Sequence, residues 1–225
     1  MTFSPALRRV TFTTHVTSSV GWVGAVMVFV ALAGVGLTSR DEVTVRGAYL
    51  VMAPAAWFVL VPLAHASLVS GVALSLGTAW GLFRHYWVVF KLLITAFSTV
   101  VLLIYMGTFR QMAGVAADPV VDLDHVRNVS PMLHALLALV LLLITTWLGI
   151  YKPFGVTPYG RRRLERVAIP VARSLGDTSG AVVPSRAGDA GGKQRGWEWS
   201  LLLVVGCLLL VFLILHILRG GAGSH

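Results

Sequence analysis

Apolar runs of about twenty residues recur along this chain, and no other feature constrains its fold as tightly. A helix needs about 20 consecutive apolar residues to cross a bilayer. Lipid offers no partner to a free N–H or C=O, so such a run must close its own hydrogen bonds as a helix. The second run, Ala53 to Gly81, carries Pro62 and His65 near its centre and then Ser67, Ser70, Gly71, Ser75 and Thr78. An ionisable side chain at that depth is costly and normally faces a protein interior. His65 is therefore the first candidate site residue.

The composition agrees. The 225 residues are 56% hydrophobic and 12% charged, with a mean hydropathy of +0.81. That balance belongs to a multi-span membrane protein and not to a soluble domain. The net charge is +9, but no basic groove, zinc spacing or nucleic-acid motif accompanies it, so nucleic acid is not an expected partner. A single cysteine, Cys207, excludes an internal disulfide and a Cys-based zinc site.

The runs predict an all-α integral membrane protein: a four-helix transmembrane bundle followed by a tethered fifth transmembrane helix. Residues 1–11 form a cytoplasmic head with Arg8 and Arg9, and residues 12–156 hold the four-span bundle. Span one runs from Phe12 to Leu37. Its basic head and Ala31-Leu32-Ala33 imitate a cleavable signal peptide, but the polar lead-in is long and the apolar run passes the would-be site. After the charged loop Ser39–Arg46, Val43 to Met52 reads as a short interfacial helix, and Pro54 favours the start of span two. Span three runs from Val88 to Thr108, with Lys91 one turn inside it and able to snorkel outward. A polar connection, Arg110 to Ser130, leads to span four, Pro131 to Tyr151. Residues 157–196 read as a flexible basic cytoplasmic linker, 197–218 as the fifth span and 219–225 as a tail.

Charge sets the orientation. With the N-terminus inside and the C-terminus outside, only Arg40, Arg46, Arg110, Arg127 and Arg219 lie outside, leaving thirteen of the eighteen Lys and Arg on the cytoplasmic face. The expected location is a bacterial inner membrane, with the lipid bilayer as the first partner.

Two ligand chemistries are open. A b-type haem can take a histidine from each of two helices in a bundle core. The candidates are His15, His65, His85 and His134, of which two must meet at one depth. Pairing His15 with His85, His134 with His216, or His65 with either His15 or His134 through a bend at Pro62, satisfies this. His15 and His134 lie on opposite sides of the midplane and cannot share one iron. Alternatively, Met106, Met112 and Met132 at the outer ends of spans three and four, with His125 and His134, offer thioether and imidazole ligands suited to copper. A third reading gives the protein no chemistry of its own and lets residues 197–218 dock a membrane partner. No Ser-His-Asp arrangement, phosphate loop or intramembrane acid supports hydrolysis, so no catalytic residue is assigned.

Three stretches, HVTSSVGWVGAVMVF from His15, SLVSGVALSLGTAWGLFRHYWVVFKL from Ser67 and HALLALVLLLITTWLGIYKPFG from His134, resemble a family of predicted bacterial integral membrane proteins of unknown function. The resemblance covers roughly residues 12 to 160 and implies an architecture. A looser likeness, carried by His15 and Trp22-Val23-Gly24, links the chain to the copper-resistance D proteins and to four-helix b-type cytochromes. It implies a cofactor or metal role for His15, His65 and His134, with electron transfer through the membrane as the function.

Overall fold

The computed structural model describes residues 3–78, 81–125, 127, 129–153, 155–162 and 206. Apart from residue 206, the expected fifth span and the tail lie outside the described residues, as does nearly all of the linker. The chain divides into Met1–Lys152 and Pro153–His225, and the long helices among the described residues belong to the first unit.

Every regular element among the described residues is helical: α1 Pro5–Thr38, α2 Glu42–Ala55, a π-turn Ala56–Leu60, α3 Val61–Gly77, α4 Tyr86–Ala117, a 3₁₀ turn Leu123–His125 and α5 Ser130–Tyr151. Since α2, the π-turn and α3 run on without a break, four helices among the described residues are long and apolar enough to cross a membrane: Pro5–Thr38, Glu42–Gly77, Tyr86–Ala117 and Ser130–Tyr151.

Their ends follow from local chemistry. Ser4 caps α1, its hydroxyl accepting from the Leu7 amide at 3.3 Å, and Pro5 stands at the first position, where no donor is required. Asp41 caps α2, its carboxylate accepting from the Thr44 amide at 3.1 Å and from the Thr44 hydroxyl. Those two donors hold the Asp41 carboxyl below the usual carboxylate range, so the cap is charged at neutral pH. Tyr151 is the last residue of α5. Lys152 follows in the left-handed conformation, φ +46°, and Pro153 cannot continue the helix.

Several boundaries differ from those predicted. α1 begins at Pro5, so most of the expected head is helical, and α3 ends at Gly77 and not Gly81. Pro54 does not start a helix; α2 runs through it from Glu42. The Asp41 cap nucleates the helix three turns earlier, and Pro54 removes only the one donor that would have met the Leu50 carbonyl. α4 extends past Thr108 to Ala117 because its buried face continues through Phe109, Met112 and Ala116, while Arg110 points outward. The π-turn sits just ahead of Pro62. There the Val61 N–H reaches back to the Ala56 carbonyl, five residues away, and the widened turn relieves the clash a proline ring makes with the preceding turn.

Consecutive long helices run antiparallel. Gly36 of α1 meets Tyr49 of α2, Gly21 meets Leu63 and His15 meets Gly71 of α3. Arg46 of α2 reaches the C-terminal end of α4, and Lys91 of α4 meets Gly149 of α5. A cluster of Trp22, Val26, Phe29, Tyr49, Met52, Tyr105, Phe109 and their neighbours fills the half distant from the N-terminus. Phe109 makes edge contacts there with Phe29 at 5.3 Å and Tyr105 at 5.0 Å. Every buried serine and threonine described in the four long helices lies in the other half: Ser18, Ser67, Ser70, Thr95, Ser98, Thr99 and Thr145.

At one crossing the backbones come very close. A Cβ on Gly36 would stand 2.8 Å from the ring of Tyr49, which is only 1% exposed and has no room to retreat. Gly36→Ala is expected to lower unfolding free energy by about 1–3 kcal/mol, the usual cost of overpacking a filled core. Thermal unfolding in mild detergent checks this, with Gly47→Ala, which meets nothing within 4 Å, as the reference.

Candidate functional site

α1, α3, α4 and α5 enclose a cavity of about 400 Å³ at the end of the helices that holds the N-terminus. Its described lining carries Arg8 and His15 from α1, Ser67, Ser75 and Thr78 at and beyond α3, Lys91 and Thr95 from α4, and Lys152 after α5. Phe12, Leu68, Leu74, Trp87 and Leu92 supply apolar wall. No Asp or Glu is among these lining residues.

His15 is fixed by α3. Its Nδ1 lies 3.1 Å from the Ser67 carbonyl and 3.1 Å from Ser70 Oγ. The Ser70 hydroxyl donates its own hydrogen to the Ala66 carbonyl at 2.5 Å. The Nδ1 proton therefore belongs to His15, which donates to both oxygens and keeps the Nε2 lone pair for another partner. Gly71 makes the close approach feasible, since a Cβ there would stand 3.0 Å from His15 Cε1. One turn deeper, the Ser19 and Ser67 hydroxyls join at 2.8 Å and hold α1 to α3.

Lys91 does not snorkel outward as its place in the sequence suggests. Its side chain lies between helices, where a Cβ on Gly149 would stand 3.2 Å from Nζ. The bare backbone of α5 at Gly149 supplies the space. Among the described residues no carboxylate pairs with Lys91, and the one ion pair joins Arg46 to Glu42. Sequence reasoning missed this ammonium. The signal was available as two glycines, Gly71 and Gly149, each opposite a basic side chain, but their pairing is visible only once the helix register is known.

The other predicted site residues are placed apart. His65 is exposed on the outer side of α3, and its Nδ1 donates to the Val61 carbonyl of its own helix at 2.8 Å. The inward positions of α3 are Ala64, Ser67 and Ser70, which turns position 65 away from both His15 and His134. His134 sits at the far end of α5, where its Nδ1 donates to the Ser130 carbonyl at 2.8 Å. Its ring lies 4.3 Å from that of Tyr105, and the Tyr105 hydroxyl meets Ser130 Oγ at 3.1 Å. Gly149 and His134 are fifteen residues apart on one helix, roughly 22 Å, so His134 and the cavity occupy opposite ends. His85 holds the N-cap position of α4, its ring 6.4 Å from Trp87; it is not among the described cavity residues.

Because α4 is longer than predicted, Met106 and Met112 lie within it and not at its end. Each is 3% exposed inside the apolar cluster. Met132 packs against the same cluster, close to Gly34. His125 falls in the 3₁₀ turn, and its side chain lies outside the described residues. Asp118 and Asp122 accept from the amides of Val120 and Asp124 at 2.9 and 3.0 Å, which ties these carboxylates to their own loop. No three His, Cys, Asp or Glu side chains among the described residues gather as a metal site requires.

A second polar cluster is structural. The Arg46 guanidinium, with its side chain 14% exposed, meets Glu42 at 2.6 Å. It also donates to the carbonyls of Asp118 at 2.6 Å and Val121 at 2.9 Å, with longer contacts to Val115, Ala116 and Pro119. It ties the end of α4 and the loop behind it to the start of α2.

The cavity is thus the place where the fold gathers positive charge, hydroxyl groups and an imidazole with a lone pair to offer. No protein-family model matches the chain, and no curated protein or solved structure matches it either.

Proposed function

We propose that the protein is a multi-pass inner-membrane protein whose four-helix bundle, followed by a tethered fifth span, binds a phosphate-type oxyanion in the cavity around Lys91. One observation carries this reading: Arg8, His15, Lys91 and Lys152 line the cavity together with four hydroxyl residues and no described acid. A half-buried ammonium without a carboxylate is costly, and a bound anion with hydrogen-bonding oxygens offsets that cost. Lys91 and the hydroxyls hold the oxyanion, Arg8 and Lys152 attract it at the rim, and the His15 Nε2 lone pair accepts from a water or a protonated oxygen beside it. With the N-terminus on the cytoplasmic side, as the charge asymmetry favours, the cavity opens at the cytoplasmic leaflet, whose surface is rich in anionic headgroups. A lipid phosphodiester and a free phosphate share the chemistry.

Nanodiscs separate the two sources. The full-length protein is placed in purely zwitterionic lipid, and its thermal midpoint is followed while phosphatidylglycerol is added to the disc or inorganic phosphate to the buffer. One of the two is expected to raise the midpoint by several degrees in the native protein and to leave Lys91→Gln unmoved. Equal shifts in protein and variant, or none in either, overturn the reading.

A second reading keeps the b-type haem, favoured by the His15 geometry: with Nδ1–H held by a carbonyl, His15 Nε2 would be the atom that holds the iron. Lys91 and Arg8 would pair with the carboxylates of the haem, which would supply one-electron transfer. A Soret band in protein expressed with ample haem, lost in His15→Ala, supports it. Absence of the band from haem-replete cells removes it.

A further inference from the structure

The cavity does not end at Lys91. On α4 the inward face repeats every three or four residues as Lys91, Thr95, Ser98, Leu102, Tyr105 and Phe109. Its half near the cavity is polar, and the half beyond Leu102 is aromatic. α5 mirrors it, with Thr145 buried one turn deeper than Gly149.

Ser98 is the residue that this pattern leaves unexplained. It is 8% exposed, and its hydroxyl has no hydrogen-bond partner among the described residues. Its neighbour Thr99 donates to the Thr95 carbonyl at 2.8 Å, and Thr145 to the Leu142 carbonyl at 2.8 Å. A buried hydroxyl without a partner is unfavourable in an apolar core. Water or an anion reaching Ser98 from the cavity satisfies it, and the distance is short: seven residues from Lys91, about 10 Å along the helix.

Resting on the reading of the cavity as an anion site, we propose that the hydroxyl seam from Lys91 to Ser98 is a hydrated half-channel. Through it the anion moves from the rim to the middle of the bundle. The side chains of Trp22, Phe29, Tyr105 and Phe109 close it beyond that point. The positive charge at the mouth admits anions and rejects cations. The occupant is therefore carried toward the aromatic barrier, and the protein is the inward-facing state of an anion pathway.

Thiol accessibility tests this in the full chain. Cys207 is the only native cysteine, so Cys207→Ser provides the background for Thr78→Cys at the mouth, Thr95→Cys and Ser98→Cys in the seam, and Leu102→Cys beyond it. Each monodisperse variant is treated with sulfonatoethyl methanethiosulfonate, an anion, or trimethylammonioethyl methanethiosulfonate, a cation. The cysteine thiolate attacks the thiosulfonate sulfur, forming a mixed disulfide and releasing methanesulfinate. Rates are divided by those of each reagent with a free thiol. The anionic reagent is expected to modify Thr95→Cys and Ser98→Cys at least tenfold faster than the cationic one and to leave Leu102→Cys untouched. Adding Lys91→Gln brings the two rates close together. Rapid reaction at Thr78→Cys with none at Ser98→Cys, whether or not Thr95→Cys reacts, shows a cavity that stops short of Ser98; the seam is then overturned while the anion site stands. Equal rates for both reagents at Ser98→Cys, with Lys91 present, overturn the anion reading and this inference with it.

Discussion

Lys91→Gln is expected to weaken oxyanion binding by about 30- to 150-fold. A hydrogen bond to a charged group contributes about 2–3 kcal/mol, and each 1.4 kcal/mol is a factor of ten. Glutamine keeps a donor and most of the length of the side chain but removes the charge. Gly149→Ala does the reverse. The ammonium remains, but a methyl group comes within 3.2 Å of Nζ, and the expected loss is smaller, about threefold to tenfold. The contrast distinguishes a binding lysine from one that merely packs, because a packing role makes the alanine at 149 the worse substitution. Arg8→Gln and Lys152→Gln are expected to weaken binding less and to flatten its salt dependence, as charges at a solvated rim do. Titration of phosphate or of phosphatidylglycerol into neutral nanodiscs, at two ionic strengths, measures all four.

Arg46→Ala is expected to cost the largest amount of stability of any single polar substitution, about 2–4 kcal/mol. The side chain is largely buried and satisfies both Glu42 and a row of carbonyls at the end of α4. Removing it leaves the part-buried Val115, Ala116 and Val121 carbonyls without this donor, and a hydrogen bond from a charged group contributes about 1.5–3 kcal/mol. Arg46→Lys is expected to recover less than half, since one ammonium cannot span carbonyls that a planar fork reaches together. Chemical unfolding in detergent measures the difference. Hydrogen exchange of residues 115–121 is expected to rise in both variants, which places the damage in that loop.

Much of this architecture is legible in the sequence, for a physical reason. Runs of apolar residues near twenty in length demand helices in lipid, so the four long helices follow directly, and α5 at Ser130–Tyr151 lies within one residue of the expected Pro131–Tyr151. The cap at Asp41 was equally available, as an Asp three residues before Thr44, but Pro54 drew attention as a stronger punctuation mark. The site was less legible. Intramembrane histidines are rare enough to single out His15 and His65, yet rarity does not say which way a side chain points. On α3 one residue is about 100° of rotation, which separates the outward His65 from the inward Ala64. Lys91 was hidden by a sound rule, that lysines near helix ends snorkel. The exception depends on Gly149, some sixty residues later, and on the register that brings the two together. Arg46 was hidden likewise, because its carbonyl partners carry no side-chain signature at all.

The π-turn at Ala56–Leu60 has a geometric consequence for the whole hairpin. Along α2 and into the turn the buried residues Val45, Tyr49, Met52 and Ala56 follow a seven-residue rhythm. Beyond the turn Leu60, Ala64 and Ser67 resume it one place late. Five residues occupy the angular room of four, so the turn acts as a phase correction between two halves of one rod. If the same residues were wound as a regular α-helix, every later side chain would rotate by about 100°. Val59, Leu63 and Ala66 would then face α1, and the serines that hold His15 would swing toward lipid. A helix one residue shorter at this point keeps Leu60, Ala64 and Ser67 facing inward without the turn. The extra residue therefore lets two segments with offset patterns share a single side, and the orientation of His15 depends on it from three turns away.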